Sequence, residues 1–154
     1  MHPLIAELNE QKKQFQEKAR VVFNDEFKSF FERFPEIREI VWTQYTPYFN
    51  DGEPCTFCVH APVAKPTSID LFEHDIAENY SDDDDEYSCI IQNIVYGTSD
   101  ERARTERENE LVETFNDLAS LVQGMDDLMQ DIFGDHVIVR ASKRGFDVEV
   151  YDHD

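Results

Sequence analysis

The sequence predicts an α+β fold in which two long helices pack on one face of a four-stranded antiparallel sheet. Three observations predict it: two stretches with helical spacing of apolar residues, a β-patterned segment after each of them, and proline or glycine at the junctions. The resulting order is α-β-β-insertion-α-β-β. A length of 154 residues suits one domain. We therefore expect residues 1–154 to form a single domain with an acidic insertion at about residues 61–100.

The first helix is expected from Leu4 to about Phe34. Its apolar residues recur every three or four positions, which is the spacing of one helix face, and Lys, Gln and Glu fill the other positions. Pro35 lacks an amide hydrogen and disfavours a helical residue before it, so the helix should end there. The apolar positions are Ile5, Leu8, Phe15, Ala19, Val22, Phe23, Phe27, Phe30, Phe31 and Phe34.

A hairpin is expected after this helix. Residues 37–45 are rich in β-branched and aromatic types, and the turn-forming residues 50–52 separate them from a second strand at 55–60. Because side chains alternate across a strand, Cys55 and Cys58 would lie on opposite faces, with Cys55 in the core.

The segment from 61 to 100 has the composition of an irregular insertion. It contains Pro62 and Pro66, the run Ser81-Asp82-Asp83-Asp84-Asp85-Glu86, and an apolar patch at 90–96. The patch predicts one short ordered piece, and the pattern leaves open whether it is helix or strand.

The second helix is expected from Ser99 or Asp100, either of which would serve as N-cap, to Phe133. Gly134 would end it, as glycine commonly does at this position. Its apolar residues step alternately by four and three, the spacing with which a helix stripe packs on another surface. They are Leu111, Phe115, Leu118, Val122, Met125, Met129 and Ile132.

The last segment predicts a second hairpin. Apolar and polar residues alternate along 137–141 and again along 146–151, and residues 142–145 form the turn between them. One face of this hairpin is apolar, so we expect it to face the helices.

The charge of the chain limits its partners. Asp and Glu number 34 and Lys and Arg 14, which gives a formal net charge of −20. Such a charge argues against direct binding to nucleic acid or to an anionic membrane and favours a basic protein partner. No apolar stretch approaches the roughly 20 residues that span a bilayer, and no secretory leader is recognisable. We therefore expect a cytoplasmic protein.

Three cysteines raise the question of a metal or redox site. Cys55 and Cys58 form a C-x-x-C pair that His60 and Cys89 could complete as zinc ligands. Zinc knuckles hold such a pair on a tight turn and redox motifs hold it at a helix start, whereas strand alternation separates these two cysteines. We expect reduced thiols and no metal or cofactor. Whether the four side chains approach one another is left open by the sequence.

Enzyme motifs are absent from the sequence. It contains no G-x-S-x-G, Walker loop, H-E-x-x-H or G-x-G-x-x-G, and the acidic run lacks the alternate spacing and the glycine of a calcium-binding EF-hand loop. We therefore expect that the protein is not an enzyme.

Two segments carry a resemblance. The stretch WTQYTPYFNDGEPC at 42–55, and FGDHV at 133–137 together with the ending YDHD at 151–154, resemble a family of small acidic proteins that is common in bacteriophage genomes. The family brings no assigned catalytic residues. The resemblance implies a phage product that acts in the bacterial cytoplasm and neutralises host or defence proteins that bind nucleic acid.

Acidity and resemblance together favour a DNA mimic, in which carboxylates on a rigid scaffold occupy a groove built for phosphates. The alternative is a protein–protein interaction module that uses aromatic residues of the first hairpin, with the acidity serving solubility. The heptad-like spacing of the second helix also leaves a homodimer open. The residues predicted to contact a partner are Asp82, Asp83, Asp84, Asp85, Glu86, Glu106, Glu110, Glu113, Asp117, Trp42 and Tyr48.

Overall fold

A computed structural model describes residues 2–48, 52, 54–78, 80–82, 86–97 and 104–152. The described part is an α+β fold with an antiparallel sheet. Its elements are α1 (Pro3–Arg33), β1 (Ile37–Tyr45), β2 (Cys58–Val59), β3 (Val63–Pro66), a 3-10 turn (Ile69–Leu71), α2 (His74–Ala77), α3 (Ile90–Gly97), α4 (Glu106–Gln123), α5 (Asp126–Phe133), β4 (Val137–Ser142) and β5 (Gly145–Val150).

The sheet has five strands where the sequence predicted four. β1 is central, with β4 and then β5 on one side, and β2 and β3 share its other edge. The predicted second strand at 55–60 is thus only partly formed, and the chain pairs with β1 again after Pro62. Proline has no amide hydrogen to donate to the ladder, which accounts for the interruption between β2 and β3. Cys55 precedes β2 and is exposed, so its predicted place in the core is wrong.

The insertion is more ordered than predicted. β3 is buried along its whole length, and the apolar patch that follows the acidic run forms the helix α3, which buries Ile90, Ile91 and Ile94. The backbone amide of Ala64 donates to the Sγ of Cys89 over 3.3 Å. β3 and α3 therefore protect this edge of the sheet.

The predicted second helix is two helices. α4 starts after Thr105 rather than at Ser99 or Asp100, which lie outside the described residues, and a capping box formed with Glu108 fixes this start. The helix ends at Gly124, and α5 begins two residues later. The apolar stripe continues across the break, because Val122 and Met129 are both fully buried.

α1 is longer than the sheet it packs on. Its 31 residues span about 46 Å, whereas the nine residues of β1 span about 30 Å. Only its C-terminal part joins the core, although the apolar spacing in the sequence continues into its N-terminal part. The exposed apolar residues of its N-terminal part are Leu4, Ile5, Leu8, Phe15, Val21 and Val22.

A buried glutamine joins the sheet to α5. Gln44 donates through its Nε2 to the carbonyl oxygens of Met129 (2.9 Å) and Gly134 (2.8 Å). Its Oε1 accepts a 3.0 Å hydrogen bond from the indole Nε1 of Trp42. This fully paired amide fixes where β1 ends relative to α5, and thereby positions the residues that follow Gln44.

Candidate partner-binding site

Four predicted carboxylates form a row on α4. Glu106, Glu110, Glu113 and Asp117 follow one another at steps of four, three and four residues, so they lie within an arc of about 60° and span about 16 Å of the helix axis. Glu106, Glu113 and Asp117 are exposed, and Glu110 is half-buried. We call these four residues the α4 row.

The opposite face of α4 is the reason that the row points outward. Leu111, Phe115, Leu118 and Val122 are buried on that face, and the capping box at Thr105 fixes the first turn. A helix held in this way presents its polar face in a fixed orientation. The α4 row is therefore a rigid line of charge.

Two arginines stand beside the row. Arg33 pairs with Glu110 (3.4 Å between Nη2 and Oε2), whereas Arg107 binds Glu36 through two hydrogen bonds of 2.8 and 2.9 Å. Both guanidinium groups lie over the ring of Phe34. Among the ion pairs between described residues, none involves Glu106, Glu113 or Asp117.

The acidic run is bonded to the sheet side of the molecule at both of its ends. Asp82 accepts a 2.7 Å hydrogen bond from the hydroxyl of Tyr80 and a 3.3 Å hydrogen bond from Arg38. The Tyr80 hydrogen bond, together with Arg38, holds the pKa of Asp82 below its usual range. Glu86 accepts a hydrogen bond from the hydroxyl of Tyr151. The middle of the predicted set, Asp83 to Asp85, lies outside the described residues.

Of the two aromatic residues predicted to contact a partner, Trp42 is buried and Tyr48 is exposed. Trp42 is only 2 % exposed and packs against Phe27 and Phe133, so its predicted contact with a partner is wrong. Strand alternation puts it on the face that the helices cover. Tyr48 is 62 % exposed and stacks on the ring of His136, with 4.9 Å between ring centroids.

A cavity of about 320 Å³ lies at the end of β1. Its polar lining consists of Thr43, Tyr45, His60, Glu86, Tyr87 and Gln92, which come from β1, the chain after β2, the end of the acidic run and α3. We call it the tyrosine–glutamate pocket. Sequence reasoning did not find it, because its residues belong to four separate stretches and match no motif.

Stacked rings form one wall of the pocket. The ring centroid of Tyr45 lies 4.4 Å from that of His60 and 5.8 Å from that of Tyr151. His60 follows β2 and Tyr151 follows β5, on opposite sides of β1, so Tyr45 stands between the two. The hydroxyl of Tyr151 in turn fixes the carboxylate of Glu86.

The pocket has a negative potential. Burial raises the pKa of Tyr45, and the nearby Tyr87 and Glu86 raise it further. Burial also raises the pKa of Tyr151, as do the hydrogen bond and the charge of Glu86. Both phenols resist ionisation chiefly because burial disfavours their charged form, and the negative charge of Glu86 adds to this effect. The carboxylate of Glu86 would attract a cation.

A polar clamp holds the chain that leaves β1. Thr46 donates from its backbone amide (2.7 Å) and its hydroxyl (2.6 Å) to the carboxylate of Asp135. Burial alone would raise the pKa of Asp135, but these hydrogen bonds and the nearby His136 outweigh it and hold the pKa below its usual range. The clamp ties Tyr45 and Tyr48 to the turn between α5 and β4.

The candidate zinc ligands do not form a centre. Cys55 and Cys58 are exposed and Cys89 is buried, and across the described ranges no three His, Cys, Asp or Glu side chains group as metal ligands. Burial, with the charge of Asp126, raises the pKa of the Cys58 thiol, which lowers its thiolate fraction.

The described helices include none with the length and apolarity needed to cross a bilayer. No protein-family model, curated protein sequence or solved structure matches the chain.

Proposed function

We propose that this chain is a non-enzymatic acidic inhibitor, encoded by a phage, that mimics DNA and blocks a basic nucleic-acid-binding protein of the host or of its defence system. The α4 row carries the proposal. It is a line of carboxylates, three of them exposed and one half-buried, on a helix whose other face is buried.

The charge density of the row supports mimicry. Four carboxylates over about 16 Å give one negative charge per 5 to 6 Å of axis. One strand of duplex DNA presents a phosphate about every 3.4 Å. A basic groove shaped for DNA would therefore meet four charges where a strand supplies about six.

The overall charge of −20 would act at a longer range. It would steer a basic protein toward the row and accelerate association, and it would repel nucleic acid itself. Binding should therefore weaken steeply with salt. The setting that fits such a partner is the bacterial cytoplasm.

We also propose that two copies associate through α1. Its exposed apolar residues include Leu4, Leu8, Phe15 and Val22, which helical spacing puts on one face of the helix. α1 carries six acidic and six basic residues, so two copies would meet there without the repulsion that the rest of the chain imposes.

In sedimentation velocity, Leu8→Glu with Phe15→Glu should give a monomer, and the control Val150→Glu should remain a dimer. A monomeric wild type would contradict this.

An interaction module is the second candidate, and the exposed Tyr48 ring stacked on His136 favours it. Binding through such a ring would depend on apolar contact and would tolerate salt. The two candidates therefore differ in one measurable property.

The test compares two variants in which four carboxylates are neutralised. One variant carries Glu106→Gln, Glu110→Gln, Glu113→Gln and Asp117→Asn. The matched control removes the same charge from exposed sites outside α1 and α4, through Glu73→Gln, Glu78→Gln, Glu149→Gln and Asp147→Asn. Each tagged protein is used to retain proteins from bacterial lysate at low and high salt, and duplex DNA is added as competitor.

Mimicry predicts that wild type and control retain basic DNA-binding proteins at low salt only, that duplex DNA displaces them, and that the row variant loses them. Equal retention by the row variant and the control would refute the α4 row as the binding surface. Retention that persists at high salt and is lost in Tyr48→Ala would favour the interaction module.

A further inference from the structure

We infer that the tyrosine–glutamate pocket is a receptor for a cationic side chain, above all the guanidinium of an arginine on a bound protein. The inference deepens the proposed function, on which it rests for the identity of the partner. It assigns to that partner one inserted side chain in addition to the broad charge contact with the α4 row.

The size of the pocket suits one side chain. At about 320 Å³ it is at the lower end of the range of ligand sites. A dinucleotide or another large cofactor would not fit, whereas an extended arginine or lysine would. Because the pocket is open to the surface, the side chain could enter while the partner's backbone remained outside.

The charge of the pocket suits a cation. Within the described residues its lining holds the carboxylate of Glu86 and no lysine or arginine. Burial raises the pKa values of Tyr45 and Tyr151, and the charge of Glu86 raises them further, so both hydroxyls stay neutral beside the carboxylate. A guanidinium would find acceptors in Glu86, in the amide oxygen of Gln92 and in the hydroxyl of Tyr45.

The two tyrosine rings that line the pocket have different roles. The rings of His60 and Tyr151 both pack against the ring of Tyr45, so the hydroxyl of Tyr45 is the group that it offers to a ligand. Tyr87 is 73 % exposed and lines the opening, where its ring face can receive a planar cation. Stacking on a ring together with hydrogen bonding to a carboxylate is a combination that favours arginine over lysine.

The pocket is also preorganised. The hydroxyl of Tyr151 bonds Glu86, and stacking holds Tyr45 in place. Because these side chains are already held in place, they lose little conformational entropy when a ligand binds.

The test uses small probes, so it does not depend on finding the partner. The ¹⁵N-labelled full chain is titrated with N-acetyl-arginine amide and, in parallel, with N-acetyl-citrulline amide, which has nearly the same shape and no charge. Glu86→Gln removes the charge and keeps an acceptor for Tyr151. Tyr87→Ala removes an exposed ring and should leave the fold intact. Glu73→Gln, at an exposed position before α2, is the control with a matched charge change.

The expected result is that the arginine probe, at millimolar concentration, shifts the amide resonances of Thr43, Tyr45 and Gln92, and that the citrulline probe does not. Glu86→Gln and Tyr87→Ala should each weaken binding of the arginine probe at least fivefold, and Glu73→Gln should leave its affinity unchanged.

Three results would overturn the inference: equal shifts with both probes, shifts confined to α4, or unchanged affinity in both pocket variants. The row variant of the proposed function leaves the pocket intact. Failure of mimicry would therefore appear in the lysate experiment alone, and failure of the pocket in the titration alone. Binding of free guanidinium as tight as that of the arginine probe would identify the pocket as a small-cation site and would also overturn the assignment to a protein side chain.

Discussion

Replacing Gln44 with leucine should destabilise the protein by about 3 kcal/mol. Gln44 is fully buried and makes three hydrogen bonds, two to carbonyls at α5 and one from the indole of Trp42. Leucine fills much of the same volume and can make none of them. Each buried group that is left without its partner costs about 1–3 kcal/mol, and the indole N–H has no water nearby because Trp42 is buried.

The magnitude can be measured directly. Trp42 is the only tryptophan, so its fluorescence in a urea titration reports both unfolding and the environment of the lost bond. A 3 kcal/mol loss is a large part of the 5–15 kcal/mol typical of a domain. The control Gln123→Leu, at an exposed position on α4, should change stability by less than about 0.5 kcal/mol. A loss below about 1 kcal/mol in Gln44→Leu would refute the view that this amide joins β1 to α5.

Four further outcomes are expected. Leu118→Asp should abolish the cooperative thermal transition, because it puts a charge into the core; an unaltered melting temperature would contradict this. Burial tends to raise the pKa of Asp135, but accepted hydrogen bonds outweigh it and depress the pKa, so their stabilisation is complete above about pH 4 and is lost as pH falls through the folded pKa. Asp135→Asn should therefore flatten the acid limb of the stability curve. A thiol reagent should modify Cys55 and Cys58 in the folded protein, and Cys89 only after unfolding. Raising NaCl from about 20 to 500 mM should increase the free energy of unfolding, because salt screens the repulsion within a chain of charge −20; a decrease would show that ion pairs dominate.

The helix ends and the closing hairpin could be predicted from the sequence because their signals are local. Pro35 and Gly134 mark ends that the structure confirms within about two residues, and alternation marks β4 and β5. The start of α4 was missed because Ser99 and Thr105 are both good caps. Only the partner at the third helical position, Glu108, completes a capping box with Thr105.

The divided strand and the exposed half of α1 could not be predicted in the same way. β3 pairs with β1 across more than 20 residues of chain, and no local pattern specifies such a contact. Helical spacing of apolar residues is the same whether a face is covered by the domain or extends beyond it. The length of α1 relative to the sheet decides which residues are buried, and that comparison needs the sheet.

The candidate site likewise has features that the local sequence predicts and features that depend on long-range contacts. The α4 row was predictable because helix geometry alone puts residues at steps of four and three on one face. The prediction that Trp42 contacts a partner rests on the frequency of aromatic residues in protein interfaces. The alternation of β1 instead puts Trp42 on the same face as Ile40 and Gln44, under the helices. The tyrosine–glutamate pocket depends on the contact between Glu86 and Tyr151, which are 65 residues apart.

The placement of the arginines bears on both proposals. Arg38 lies between Glu39 (3.5 Å) and Asp82 (3.3 Å), and Arg107 is bonded to Glu36. These cations hold the insertion and α4 to β1 and to the chain just before it, where acidic segments would otherwise repel one another. Such exposed pairs contribute little stability individually. In the α4 row, Glu110 pairs with Arg33, whereas Glu106, Glu113 and Asp117 take part in no ion pair between described residues. The contacts that hold the acidic segments together therefore leave the negative field of these three carboxylates directed at solvent.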